Sequence, residues 1–440
     1  MKRNNAAPVL LVLVVLATLL QACFKKAEKY NLAPAVIAQG NVVDSNNDTI
    51  QGTIKGTLRA NTTYYMPADV FVNQGDSLVI PAGDTIIVLG NGTPLRAPSF
   101  FINGTLISNG TKAQPNWITV TDAMKSSFPN GGVWGGIAGD SAQNIIVKWT
   151  HIEYTGAPWQ ANDQTPSASI SGTHYAIVSL SPTNLVVEDS WISHTQDDGC
   201  YIRNAKVSIM RNTYEAIGTT KGIPINIKYG TRGDIAYNVV IAGFNSGIKS
   251  QSLSGAPSQS IINIYNNTVI NCGFLDPNYT LGGGISFEKL VAGKAYNNLI
   301  IENKIGLRIL GGSSIVDTAN LRYGNNLYYG NTAAIATNFF PTYAGFIAQP
   351  QPSDIYSNVA GDNDPQFIGL DATQIVPEVY PLTSNGLDLH LKPSSPAIGK
   401  GSANISGIPM NSLPAAAGAH ITSPNVDLGA YPSDGSGNQH

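Results

Sequence analysis

The sequence predicts an all-β solenoid, a parallel β-helix, and three observations indicate this fold class. After residue 23 no stretch carries a 3.6-residue apolar period over three turns, whereas short β-rich runs alternate with Gly, Asn or Asp. Only 12% of the residues are charged and 45 of 440 are Gly, against usual values of about 25% and ~7%. This composition is typical of turn-rich β proteins. The third observation is an internal repeat.

The repeat unit is an apolar strand, a polar turn residue and a second short strand. Seven such units align, and their turn residues are Thr150, Ser190, Asn212, Asn238, Asn267, Asn298 and Asn326. Successive turn residues are separated by 40, 22, 26, 29, 31 and 28 residues. A period of roughly 20–30 residues with several short strands indicates a stacked solenoid. Stacking is required because a single coil cannot bury its apolar face alone.

The recurrent turn Asn has a structural explanation. Asn tolerates left-handed turn conformations, and its amide carries both hydrogen-bond donors and acceptors. Asn side chains in successive coils can therefore stack into a hydrogen-bonded ladder. In that case Asn238, Asn267 and Asn298 should lie in one column.

The N-terminal residues predict localisation to the cell envelope. Lys2 and Arg3 precede an apolar run from Val9 to Leu20, which as a helix is about 18 Å long, too short for roughly 30 Å of hydrocarbon. This pattern is typical of a signal peptide, and Leu20-Gln21-Ala22-Cys23 resembles a lipobox. An ordinary secretory signal that ends near a Cys is the alternative. We expect lipidation of Cys23 and attachment to a membrane, in particular the outer membrane.

The predicted organisation follows from these features. Residues 1–22 form the signal peptide, 23–50 the lipidated Cys and a tether, 51–340 the β-helix coils, and 341–440 a C-terminal coil and capping segment. Cys200 and Cys272 fall three coils apart, about 14 Å, which exceeds the ~7 Å Cα limit for a disulfide. We therefore expect two buried, reduced thiols.

The repeats resemble those of right-handed parallel β-helix proteins of the pectate-lyase-like superfamily. The motifs DSLVIPAGDTIIV, FINGTLISNGT and GGVWGGI are similar to the leading coils of surface β-helix proteins common in Bacteroidota. The stretch DPQFIG…LDLHLKPSSPAIGKGS…VDLGAYP resembles the tail that closes many of them. The resemblance covers most of residues 50–432 and implies a right-handed solenoid. It does not imply an activity, because such solenoids include enzymes, adhesins and scaffolds.

Alternation along the Gly-led strands assigns side chains to faces. The residues expected to point inward are Cys200, Ile202, Ile223, Ile225, Ile227, Ile248, Ile285, Phe287, Leu307 and Ile309. Those expected to point outward are Tyr201, Arg203, Asn226, Lys228, Lys249, Gln251, Ser286, Glu288 and Arg308. At about 4.8 Å per coil the charged members form a row of roughly 20 Å on one exposed sheet.

This row permits a binding, a catalytic or a purely structural interpretation. A positive strip could bind an acidic glycan, with Arg203, Lys228, Tyr201 and Asn226 as ligand-binding residues. In the catalytic version the residues are Lys249, Arg308 and Glu288. A Lys or an Arg acts as general base and another cation neutralises the uronate carboxylate in β-elimination, as in polysaccharide lyases of the resembling fold. A base of this kind requires a lowered Lys pKa, which neighbouring cations can supply. Alternatively, the charges are ordinary solvated groups that keep the sheet soluble.

A second candidate site is acidic. His194, Asp197 and Asp198 lie just before one Gly-led strand, and two carboxyls about 6.5–9.5 Å apart can serve an inverting hydrolase. QDDGC resembles the acidic motif of polygalacturonase-like hydrolases, but the companion motifs of that family are absent from the sequence. The DDG sequence is also a common turn.

The composition limits the classes of ligand and cofactor that the protein is expected to bind. A net charge of −3 argues against nucleic acid, which requires a basic surface. No cofactor and no metal site are indicated, because Ca²⁺ needs more converging oxygens than the sequence offers. Trp159, in an insertion between two repeats, could stack on a sugar but is also suited to packing its loop. The leading hypothesis is a monomer that binds a polysaccharide or another surface ligand. A polysaccharide lyase or glycoside hydrolase, and a structural or adhesive protein, are the alternatives.

Overall fold

The computed structural model describes residues 40–44, 46–93, 96–158, 175–219, 221–252, 258–377, 387–405, 413 and 418–440. The lipobox-like segment with Cys23 and the loop residue Trp159 lie outside these residues. Among the helices within them, none has the length and apolar character needed to cross a membrane.

Short parallel strands repeat in a fixed order and build three long sheets. Sheet I contains β3 (Thr63–Met66), β6 (Thr85–Val88), β9 (Asn116–Thr119), β12 (Thr150–Glu153), β15 (Trp191–Thr195), β18 (Thr213–Ile217), β21 (Val239–Gly243), β24 (Thr268–Ile270), β27 (Leu299–Ile301) and β30 (Leu327–Tyr329). Sheet II contains β4 (Val70–Val72), β7 (Ser99–Ile102), β10 (Gly136–Gly139), β13 (Tyr175–Ser179), β16 (Asp198–Ile202), β19 (Ile225–Ile227), β22 (Ser246–Gln251), β25 (Gly283–Glu288) and β28 (Leu307–Ile309). Sheet III contains β5 (Ser77–Ile80), β8 (Thr105–Asn109), β11 (Asn144–Lys148), β14 (Asn184–Glu188), β17 (Lys206–Met210), β20 (Arg232–Ala236), β23 (Ile261–Tyr265), β26 (Ala292–Tyr296) and β29 (Leu321–Gly324).

The ends and connections complete the architecture. At the N-terminal end β1 (Asn41–Val42) pairs with β2 (Gly52–Thr57), and β2 pairs with the first strands of both sheet II and sheet III. The described residues include the short helix α1 (Asp122–Ser127) between β9 and β10 and the short helix α2 (Ala333–Ala336) after β30. They also include 3₁₀ turns at Gly312–Ser314 and Ala372–Gln374.

The strand register confirms the predicted inward face. Cys200 pairs with Ile225, Ile225 with Ile248, and Ile248 with Ile285. All ten residues expected to point inward are buried. Nine of them belong to the continuous apolar column that fills the solenoid, and Ile223 is buried just before β19. Like side chains therefore stack on like side chains along the whole column.

The Asn ladder is also confirmed. Each turn residue donates its backbone N–H to the side-chain oxygen of the turn residue in the next coil: Thr150 to Ser190 (3.1 Å), and then through Asn212, Asn238, Asn267, Asn298 and Asn326 at 3.0 Å per step. From Asn212 onward the side-chain amides add parallel bonds of 2.9–3.0 Å. The ladder ends on Asp354, whose Oδ1 accepts from the Asn326 N–H at 2.9 Å.

The residue before each ladder Asn adopts a left-handed conformation and points outward. Asn266, Asn297 and Asn325 have φ of 52°, 60° and 51°. Their amides bind the backbone of the chain's C-terminal part: Asn266 donates to Asp427 O (2.6 Å), Asn297 to Asn425 O (2.9 Å), and Asn325 to Lys400 O (2.9 Å). In each Asn-Asn pair one residue therefore builds the inner ladder and its neighbour binds an outer segment.

This outer segment, residues 387–405 and 418–440, is called the C-terminal strap below. Its apolar side chains, including Leu389, Leu428 and Tyr431, pack on outward residues of sheet I. The strap does more than close the last coil, because it returns along the solenoid and stacks the ring of His440 on Trp191 at 3.6 Å. It thereby covers an apolar outer face that strand alternation alone would leave in water.

Cys200 and Cys272 are free and buried, as the coil spacing predicts. Burial raises the pKa of the Cys200 thiol and of the Cys272 thiol to about 12. Because the thiolate is the reactive form, both thiols are inert packing groups.

Candidate ligand-binding site

The outer face of sheet II carries a column of polar side chains in register. Tyr201 pairs with Asn226, Asn226 with Lys249, Lys249 with Ser286, and Ser286 with Arg308. Together with the adjacent Arg203, Lys228 and Glu288 these residues form the predicted row on neighbouring coils, called the charged strip below.

The strip differs from the expected solvated surface. Asn226 and Arg308 are each 4% exposed, and Glu288 is 6% exposed. The side chains cover one another, so that ion pairs and hydrogen bonds must replace the lost water. The interpretation of these residues as ordinary solvated charges is therefore wrong for this part of the strip.

The C-terminal end of the strip is a closed ionic triad. Glu288 Oε1 pairs with Lys249 Nζ at 3.0 Å and accepts a hydrogen bond from Arg308 Nη1. Arg308 Nε also donates to Thr280 O at 2.9 Å. Burial alone would raise the pKa of Glu288, but the charges of Lys249 and Arg308 outweigh it and lower the pKa to about 2. Glu288 stays ionised, and Lys249 would have to leave this ion pair to act as a base.

The other end of the strip contains a lysine and a carboxyl with opposite shifts. The Lys228 ammonium lies 5.3 Å from the centre of the Tyr201 ring. Burial first, and the Lys249 charge second, lower the pKa of Lys228 to about 8, although Asp198 opposes this. For Asp198, burial and the neighbouring Asp197 raise the pKa to about 7 against the charge of Lys228. On the strip, Lys228 is thus a lysine with a lowered pKa, whereas the sequence named Lys249 as a catalytic residue.

Asp198 belongs to the charged strip. Its Oδ2 accepts from Asn226 Nδ2 at 2.6 Å, and its Oδ1 accepts from the Ile223 N–H at 2.7 Å. Part of the acidic candidate and the cationic candidate are therefore one site. Asp197 lies beside it and pairs with Lys221 at 3.2 Å.

His194 does not join this site. It lies in a left-handed conformation near the end of β15, with φ of 51°, and its ring stacks on Tyr154 at 4.8 Å. Burial lowers its pKa, and the carboxylates that oppose this shift are Glu153 and Glu215. The contacts of the His194 ring are thus with Tyr154 and with Ser193 Oγ, at 3.1 Å from Nδ1, and not with the two aspartates.

Two polar atoms on the strip lack a partner among the described residues. Asn226 Oδ1 and Arg203 Nε are buried and form no hydrogen bond there. Leaving such a group unsatisfied costs about 1–3 kcal/mol. An acceptor and a donor are thus available on neighbouring coils for a polar ligand.

Aromatic rings frame the same end. Tyr201 stacks on Tyr175 at 4.7 Å, and the Arg203 guanidinium lies over Tyr201 and Tyr229 at 4.9 and 5.6 Å. Such rings offer apolar faces, while the cations offer charge. In the described part of the chain no group of three or more His, Cys, Asp or Glu side chains is arranged to hold a metal ion.

Comparison with known proteins agrees with this architecture. A family model described as a right-handed β-helix region matches residues 159–336. The fold is a right-handed parallel β-helix. No curated protein and no solved structure matches the chain.

The β-helix includes site residues that strand alternation does not reveal. Tyr175, Tyr229 and Thr280 contact the strip from loops or from the start of a strand. A two-residue period applies only inside strands, so it cannot place loop residues against a sheet. The signal that was present in the sequence is a tyrosine at two of the Gly-led strands, Tyr201 within GCYI and Tyr229 just after GIPINI.

Proposed function

We propose that this β-helix binds an acidic polysaccharide along the charged strip. We also propose that it is a lipid-anchored protein of the cell envelope, related to the pectate-lyase-like proteins of Bacteroidota. The observation that carries the binding proposal is the pair of Lys228 and Asn226. The ammonium of Lys228 makes no ion pair with any described residue, and the adjacent Asn226 Oδ1 is an unused acceptor.

Charge and shape both support a polyanionic chain. The strip carries four cations, Arg203, Lys228, Lys249 and Arg308. Its carboxyls are Glu288 and Asp198, with Asp197 beside Asp198 and Asp140 near Arg203. A carboxylate of the ligand can pair with Lys228, while a sugar hydroxyl donates to Asn226 Oδ1. Parallel coils repeat these positions along one axis at about 4.8 Å per step, which suits an extended polymer.

Substitution Lys228→Met tests this proposal. We expect the affinity for acidic oligosaccharides to fall roughly 10- to 100-fold, because a charge-assisted hydrogen bond is lost. The unsubstituted protein should bind best below pH 7, where Lys228 is charged and Asp198 is protonated, and progressively less well as the pH rises through 8. In K228M the part of this loss due to Lys228 should disappear. Isothermal titration with uronate oligomers at pH 6, 7.5 and 9 measures both effects.

The matched control is Lys206→Met. Lys206 is an exposed lysine on sheet III, and its substitution changes the net charge equally. If K206M weakened binding as much as K228M, the attraction would be diffuse and the strip would not be the site. If no acidic or neutral glycan bound at all, a structural or adhesive role would replace this proposal.

The lipid anchor is proposed from the sequence. Cys23 follows a short apolar run and a small residue, in the order of a lipobox. When the natural chain is expressed in bacteria fed with labelled palmitate, we expect it to carry the label and to be recovered in the outer-membrane fraction. Both the label and the recovery in that fraction should be lost in Cys23→Ser. Retention of the label in the variant would refute the anchor at this residue.

A polysaccharide lyase acting at the same strip is the second candidate, and the Lys228–Asp198 pair favours it. A lysine with a lowered pKa can take the proton α to a uronate carboxylate, while the glycosidic oxygen leaves with its electron pair and a C=C bond forms. A protonated carboxyl near neutrality can supply the proton for the leaving group. Ultraviolet absorbance of unsaturated products, lost in Lys228→Ala, would establish this activity, and binding without product formation would exclude it.

A further inference from the structure

Two exposed tyrosines stand at the C-terminal end of the charged strip. Tyr279 lies in the loop between β24 and β25, and Tyr343 lies in the segment that follows α2. Their ring centroids are 5.7 Å apart, with the planes inclined by 49°. Tyr279 is 68% exposed and Tyr343 is 37% exposed, so the pair presents aromatic surface to solvent.

The loop that carries Tyr279 is held by its own hydrogen bonds. Asp276 Oδ1 accepts from the Asn278 N–H at 2.9 Å, and Asn278 Oδ1 accepts from the Thr280 N–H at 2.9 Å. Lys304 Nζ donates to Asn278 O at 3.0 Å. The tyrosine is therefore presented on a fixed loop, which reduces the entropy lost when a ligand binds to it.

The tyrosine pair is continuous with the strip. Thr280, the residue after Tyr279, accepts from Arg308 Nε at 2.9 Å. The Arg308 guanidinium lies 5.1 Å from the centre of the Phe346 ring, and Phe346 lies 5.5 Å from the ring of Tyr343. A polymer that follows the strip past Arg308 would thus arrive at these rings.

We infer that Tyr279 and Tyr343 form a second subsite, which stacks on the apolar face of a sugar unit of the same acidic polysaccharide. This inference rests on the proposed function, because the strip provides the charge recognition. At the strip end Glu288 pairs with both Lys249 and Arg308, which leaves one net positive charge there. The contact that the two tyrosine rings add is apolar and does not depend on a ligand charge. Four coil steps, about 19 Å, separate Tyr201 from Arg308. A short oligomer can therefore occupy only one of the two subsites.

Chain length is the variable that tests this subsite. The full chain, purified in mild detergent, is titrated with oligogalacturonates of two to about ten units and with hyaluronan oligomers. We expect Tyr279→Ala to weaken the longest oligomers about tenfold and to leave disaccharide binding unchanged. Tyr279→Phe should retain the affinity, because the ring and not the hydroxyl makes the contact. Lys228→Met should weaken short and long oligomers alike.

The control is Tyr65→Ala, which removes a tyrosine of 44% exposure from the N-terminal coils. Thermal melting checks that each variant is folded. If Y279A changed no affinity while K228M did, the second subsite would be overturned and the proposed function would stand. An equal loss at every length would also overturn it. Failure of every acidic oligomer to bind would remove both the inference and the proposed function.

Discussion

Asn267→Ala should destabilise the β-helix more than any single surface substitution, by about 4 kcal/mol or more. The Asn267 amide donates to Ile235 O and Asn298 Oδ1, both at 3.0 Å, and its oxygen accepts from the backbone and the side chain of Asn238 at 3.0 and 2.9 Å. Alanine removes all four bonds and leaves the buried Asn238 N–H without this acceptor, although Asn298 Oδ1 keeps the Asn267 N–H and Asn238 Nδ2 keeps Ile209 O. Each lost bond costs about 0.5–1.5 kcal/mol, and a buried group left unsatisfied costs about 1–3 kcal/mol. Chemical denaturation followed by circular dichroism measures the loss.

Asn320→Ala is the comparison. Asn320 is exposed in a turn, where its amide donates to Asp317 at 2.8 Å, and water can replace that bond. We expect a change within about 0.5 kcal/mol there. A similarly small effect for N267A would mean that the ladder contributes little to stability and that the apolar column alone holds the coils in register.

The parts of this molecule that could be predicted from the sequence are those that repeat. The spacing of Asn238, Asn267 and Asn298 was sufficient to place them in one column, because a solenoid converts a sequence period into a vertical neighbour relation. The inward face followed from the alternation of side chains in strands. The predicted orientation of each side chain was supported several times, because the equivalent residue in every coil gave the same prediction.

The strip could be located but its state could not be predicted. Alternation placed Lys249, Glu288 and Arg308 outward, which is correct, yet it carries no information about what covers an outward residue. The cover here comes from loops such as the one with Thr280, and from the side chains themselves. For the same reason strand alternation could not predict the contact between Asp198 and Asn226, because it joins the start of one strand to the middle of the next strand in the sheet.

The C-terminal strap was beyond sequence reasoning for a related reason. It contacts residues more than 100 positions away, such as Asn297 with Asn425, and it has no repeat that would match it to a coil. The one indication in the sequence was the Asn-Asn pair at successive turns. The ladder requires only the second Asn of each pair, so the first Asn pointed to a partner outside the coil.

Arg211→Met should release part of this strap. The Arg211 guanidinium is buried and bidentate on Asp189 at 2.7 and 3.0 Å, and it donates to the strap at His420 O (2.9 Å) and Thr422 Oγ1 (2.7 Å). Removing one partner of a buried ion pair costs about 3–5 kcal/mol, because the other charge stays buried without compensation. We expect a loss of this size, with faster hydrogen exchange in residues 418–440 than in the sheets.

The role of Arg211 is tested by where hydrogen exchange becomes faster, more than by how much the free energy of unfolding falls. Arg232→Met, an exposed arginine at the start of β20 in the same sheet, should leave both the stability and the exchange pattern unchanged. If R211M lost stability with uniform exchange throughout the chain, Arg211 would be an ordinary core group. Selective exchange in the strap would show that an ionic contact fixes the outer segment, and that the apolar outer face of sheet I depends on it for its cover. Unlike the charged strip, that face is apolar, and it becomes exposed to water once the strap has left. We therefore expect R211M to aggregate on heating.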